Sequence, residues 1–160
     1  MKNIGRLRLW SVVLGGLVLS GGMVLAQSTP GVSSKASTSL AQARVFPFDQ
    51  MPVKTMANGG ESRGIVQGVL ATGESVALHE SMQPVGSVPN PAHRIDHSEF
   101  IVVREGTLEF EHDGKTETVG PGGVIYVACG TLHRVKNVGD VPAKYVVLAI
   151  GGDTGRGSRK

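Results

Sequence analysis

The chain has 160 residues, enough for one domain with a core of its own, and a single cysteine, Cys129, which excludes an internal disulfide. The 16 basic and 13 acidic residues give a net charge of +3, but Lys2, Arg6 and Arg8 lie at the very start, and without them 13 basic residues face 13 acidic ones. The remaining cations are scattered, apart from Arg156, Arg159 and Lys160, so no nucleic-acid footprint is present.

The basic start leads into an apolar run from Leu9 to Ala26 that ends in Val24-Leu25-Ala26. Small or neutral residues at −3 and −1 before Gln27 are what signal peptidase prefers, so residues 1–26 read as a secretory signal. The run is near the lower limit for a membrane span, which leaves an uncleaved anchor as the alternative. Four glycines within it favour cleavage. The expected destination is the periplasm or the medium, with no membrane contact after cleavage. Residues 27–42 are rich in Ser, Thr and Ala without apolar period and read as a disordered spacer. A domain is expected over residues 43–150 and a flexible tail over 151–160.

Within that domain, Gly64–Leu70 and Ser75–Met82 read as strands. Phe100–Val103 and Thr107–His112 flank a Glu105-Gly106 turn. Asp113-Gly114, a pair suited to positive φ at both positions, separates Thr107–His112 from Lys115–Val119 as a hairpin. Gly122–Ala128, His133–Val138 and Ala143–Ile150 complete the set. About eight short strands with almost no helical period predict an all-β sandwich or small barrel. Phe100, Phe110, Tyr126 and Tyr145 fall on these strands and read as core. Cys129 reads as a small buried residue rather than a reactive thiol.

The chemistry-bearing stretch is His93-Arg94-Ile95-Asp96-His97-Ser98-Glu99, joined by His133 in a later segment. Imidazole and carboxylate are the donor set of a transition-metal site. Read as a strand, the stretch puts residues 93, 95, 97 and 99 on one face, where they would share a cavity. His79 and His112 lie apart from it and read as ordinary core or surface residues. Glu80 and Arg94 read as solvated.

Two segments together resemble the cupin family. Its first motif is Gly, His-x-His, Glu and Gly at set spacings. Here six residues separate Gly86 from His93 where the pattern usually has five, Ile95 takes the second histidine's place, Glu99 follows after three residues, and Gly106 after six more. The second motif is matched in spacing throughout by Gly122, Gly130, His133 and Asn137, with Ala128 in the usual proline position. The resemblance spans roughly residues 64–150 and implies an all-β fold, a single antiparallel jelly-roll barrel with metal ligands inside. Carried across residue by residue, those ligands are His93, Glu99 and His133, while Ile95 cannot coordinate.

Three readings stay open: a two-histidine, one-carboxylate site with free positions, a site completed by His97, or an apolar cup that holds no metal. The implied ion is divalent, manganese or iron first, zinc or nickel next. The implied function is that of a metal-dependent enzyme of dioxygenase, lyase or isomerase type acting on a small organic molecule. The alternative is a non-catalytic module that binds a sugar or organic acid. Homodimers are expected by the same analogy. No nucleophilic triad, phosphate loop or dinucleotide fingerprint is present.

Overall fold

Asp113-Gly114, the strongest turn signal in the sequence, closes a two-residue hairpin with φ of 46° and 73°. It joins β6 (Leu108–His112) to β7 (Lys115–Val119). The computed structural model describes residues 38–152 and 154. The secretory signal of residues 1–26, most of the spacer and nearly all of the tail lie outside the described residues.

The strands before this hairpin are β1 (Thr38–Leu40), β2 (Val53–Thr55), β3 (Glu61–Leu70), β4 (Ser75–Gln83) and β5 (Ser98–Glu105). Those after it are β8 (Val124–Val127), β9 (His133–Asn137) and β10 (Ala143–Ile150). One short 3-10 turn, Phe48–Gln50, interrupts this pattern. Among the described residues no helix is long and apolar enough to cross a membrane.

The strands form two sheets. The larger runs β1-β3-β4-β10-β5-β8, with β2 also on β3, and the smaller runs β7-β6-β9. Every pairing is antiparallel except that of β1 with β3. The arrangement is that of a jelly roll, whose two sheets do not close by continuous pairing. Where they meet, His93 and His133 form an isolated bridge, exchanging backbone N–H···O=C bonds of 3.0 Å in both directions.

Alternation sets the core. On β5, Ile101 and Val103 are buried while Phe100 and Val102, which alternate with them, are exposed. On β10, Ala143, Tyr145, Val147 and Ala149 point inward. With Ile95, Leu108, Phe110, Ile125 and Val127 they fill the space between the sheets. A second tie is polar. Gln83 Nε2 donates to the Tyr145 hydroxyl at 2.9 Å, and the Asn137 backbone N–H donates to Gln83 Oε1 at 2.9 Å. Gln83 thereby links β4, β9 and β10 across the interior.

Several expectations change. Thr38–Leu40, within the supposed spacer, forms β1, because three residues suffice when β3 supplies the ladder at Gly68–Leu70. At the other end, the Gly151 N–H donates to Ser75 and Gln67 Nε2 donates to the Thr154 carbonyl, so the tail begins tied to β3 and β4. Phe100 and Tyr126 are not core. They meet as tilted rings on the outer face, centroids 5.1 Å apart. Cys129 is exposed, not buried.

Candidate functional site

The stretch from His93 to Glu99 is not one straight strand. Residues 96 and 97 bend, and β5 begins only at Ser98. The alternation survives the bend: His93, Ile95, His97 and Glu99 are all at least partly buried, while Arg94 and Asp96 are exposed. Gly130, with φ of 81°, turns its N–H onto the Ile95 carbonyl at 2.8 Å and brings His133 into the smaller sheet beside His93.

His93 and His133 form the first pair, with ring centroids 4.7 Å apart. Each Nδ1 lies 3.1 Å from the carbonyl oxygen two residues earlier, Pro91 for His93 and Thr131 for His133. A carbonyl only accepts, so each Nδ1 carries the proton and each Nε2 keeps its lone pair. Such an outer hydrogen bond is how a ligating histidine is held in one tautomer. Burial pushes the His133 imidazolium down from its ordinary pKa. The Thr131 carbonyl opposes this, while the charges of His93, Glu99 and His97 contribute smaller effects.

His97 and Glu99 form the second pair, with Nε2 2.9 Å from Oε1. Both side chains are largely enclosed, at 11 % and 14 % exposure. An ionised carboxylate accepts, so the proton sits on Nε2. His97 Nδ1 is then a buried acceptor with no hydrogen-bond partner among the described residues. Buried polar atoms in folded proteins are normally satisfied, so this one marks a place where a further group would sit.

Ile95, in the family's second histidine position, is 2 % exposed and belongs to the apolar core. It packs into that core while His93, His97 and Glu99, which alternate with exposed residues as it does, carry the polar groups. Among the described residues no three His, Cys, Asp or Glu side chains are gathered closely enough to hold an ion. The donors therefore stand as two pairs and not as an assembled triad. The chemistry of the set nonetheless suits a transition-metal ion: imidazoles with tautomers fixed for Nε2 ligation, a carboxylate, and an orphaned buried nitrogen.

His79 lies outside both motifs, and from sequence alone it reads as an ordinary core or surface residue. It pairs with core Val147 across the β4–β10 ladder and so faces inward. Burial depresses its pKa, with Glu99 raising it and His97 lowering it. Tyr145 also faces this interior. Burial pushes its phenol up, hydrogen bonds with Gln83 and Ser81 oppose that, and Glu99 adds to the rise. The signal that would have found both residues is register rather than motif.

His112 pairs with His133 across the β6–β9 ladder, but its own ring nitrogens are already engaged. Its ring stacks on Phe110 at 4.5 Å and bonds Glu117 and Asp113, which raise its pKa. Glu80 is buried on the outer face and paired with Arg104. Arg94 reaches the Gly130 carbonyl. A cleft of about 450 Å³ runs beside His133, between Arg94, His112, Lys115 and Leu132.

Residues 78–149 match the model of the cupin-domain family. No curated protein matches the chain. Among solved structures it is similar to an RmlC-like cupin from Shewanella frigidimarina NCIMB 400, with 16% identity and a TM-score of 0.58 over 72% of this chain and 97% of that one. A predicted oxalate decarboxylase from Thermotoga maritima shares 16% identity at a TM-score of 0.53, over 67% of this chain and 98% of the other. The DMSP lyase DddQ from Ruegeria pomeroyi DSS-3 shares 20% identity at a TM-score of 0.53, over 74% of this chain and 60% of the other. At these identities the likeness is one of fold.

Proposed function

Because the chain belongs to the cupin superfamily, we propose that it is an exported metal-dependent enzyme, of lyase, isomerase or dioxygenase type, acting on a small organic molecule. The observation that carries this reading is the paired tautomer control at His93 and His133. Two histidines from different motifs each spend Nδ1–H on the carbonyl two residues back and leave Nε2 free at the junction of the sheets.

His93, His133 and Glu99 are the residues that would hold the ion, with His97 next to them. A divalent ion there supplies a Lewis acid for a carbonyl or enolate oxygen and, in the case of iron, access to dioxygen chemistry. The chain's own residues supply the rest. Ile95, Ile101, Val127 and Val147 keep water from the inner side of the site. Glu99 fixes His97 with its Nε2–H outward to the carboxylate and its Nδ1 free. Tyr145 stays protonated through burial and is steadied by Gln83. The cleft beside His133 is wide enough for a small molecule, and charges of both signs line it, Arg94 and Lys115 with Glu111 and Asp113.

Export is supported by the basic start, the apolar run and Val24-x-Ala26. Pairing of two chains is supported by the exposed edge strand β8, where Val124 and Tyr126 are each 56% accessible.

Elemental analysis of protein purified without a His tag tests the enzyme reading. One equivalent of manganese, iron, zinc or nickel per chain is expected. A second reading, a metal-free module for a sugar or organic acid, is favoured by Ile95 in a ligand position and by the absence of an assembled triad among the described residues. Metal-free protein that refuses every one of these ions would establish it.

A further inference from the structure

His79 stands on β4 in the row Ala77, His79, Ser81, Gln83, which the ladder with β10 turns toward the interior. Val147 pairs with His79 on one side and with Ile101 on the other. One rung nearer the Glu99 end, Ala149 pairs with both Ala77 and Glu99. Only methyl side chains therefore flank Glu99 at its own level on these two strands. An imidazole one rung away has no bulky neighbour at that level to wall it off from the carboxylate. Burial lowers the His79 pKa, with Glu99 raising it and His97 lowering it, which agrees with the register. No hydrogen bond fixes the His79 ring elsewhere in the interior among the bonds described. His97 Nδ1 lies in the same neighbourhood, buried and unpartnered among the described residues.

We propose that His79 is a metal-ligating residue of this chain, supplying from β4 the imidazole that isoleucine at position 95 cannot. The inference rests on the metal-dependent reading above and adds a donor that lies outside both sequence motifs. With His79 included, imidazoles dominate the donor set, which selects zinc, cobalt, nickel or ferrous iron over magnesium or calcium. It also assigns Ile95 a role compatible with metal binding, as a core residue rather than a lost ligand.

The test uses cobalt(II) as probe on the full mature chain, comparing wild type, His79→Gln and His79→Cys, with circular dichroism checking that each keeps its strands. Wild type should bind one cobalt ion per chain. His79→Gln should weaken binding by at least about tenfold, the loss commonly seen even for residues one step removed from a metal. His79→Cys should restore affinity and show a thiolate-to-cobalt charge-transfer absorption in the near ultraviolet. Wild type should lack that band, since its only thiol, Cys129, is exposed and outside the donor set. Affinity of His79→Gln within about twofold of wild type, or no such band in cobalt-loaded His79→Cys, would overturn the role of His79 alone. A wild-type chain that takes up no cobalt would overturn both this inference and the metal-dependent function.

Discussion

At residue scale, burial is the main influence on the protonation of the inward-facing rings His79 and His133. Burial depresses the pKa of both His79 and His133 below the ordinary 6.5. The unfolded chain therefore binds more protons than the folded one once the pH falls below about 6.5, and stability falls with it. Metal-free protein should lose stability steadily from pH 7 to pH 5 in urea titrations. His112 acts in the opposite sense, since its raised pKa favours the folded state at low pH, but it is solvent-screened and weaker. A midpoint that rises on acidification would contradict the assignment of His79 and His133 as buried neutral rings.

Ile95 gives the complementary prediction. Ile95→His would put a polar ring into a core position that is 2 % exposed. It should cost about 2 kcal/mol or more, read by chemical denaturation, and should not tighten metal binding. One substitution should therefore not restore the four-ligand pattern, because residue 95 is packed in the apolar core.

At the scale of elements, the turns are where backbone geometry is most exacting. Gly106 has φ of 73°, and a Cβ there would lie 2.7 Å from Ala143 Cα. Gly114 has the same φ, but a Cβ would meet nothing within 4 Å. Gly114→Ala should therefore cost about 1–2 kcal/mol, the strain of a left-handed residue alone. Gly106→Ala should cost clearly more, since the β5–β6 turn must also shift away from β10. Equal losses in thermal or urea unfolding would contradict the close packing seen at Gly106. Gln83→Leu should cost about 2 kcal/mol or more by leaving the buried Asn137 N–H without its acceptor.

The same scale explains what could be read from the sequence. β7 and β10 appear at the predicted residues, because turn residues or alternating burial mark their limits. β1 and β2 were missed, since three-residue strands carry no period and exist only through β3. β4 is the instructive case. Its apolar row, Val76, Leu78 and Met82, looks like the core face, yet Ala77, His79, Ser81 and Gln83 point inward. Val76 and Glu80 are buried from the outer side, so both faces of β4 are covered and polarity does not identify the inner one. That is why His79 was invisible to pattern reading, whereas His93, Glu99 and His133 announced themselves by motif spacing.

At the scale of the whole molecule, the jelly roll turns His79 on β4 and His133 on β9 toward one interior, where burial depresses the pKa of each and Glu99 opposes that. If residues 1–26 are a secretory signal, mass spectrometry of the exported protein should find Gln27 at its N-terminus; a retained Met1 in the membrane fraction would point to an anchor instead. The central claim is that the interior holds one divalent metal ion between the two motifs. Calorimetric titration of chelator-treated wild type and His133→Ala with manganese, iron, zinc and nickel at neutral pH tests it most directly. The account predicts one ion per wild-type chain and no measurable binding in His133→Ala, while a wild type that binds none of the four would contradict it.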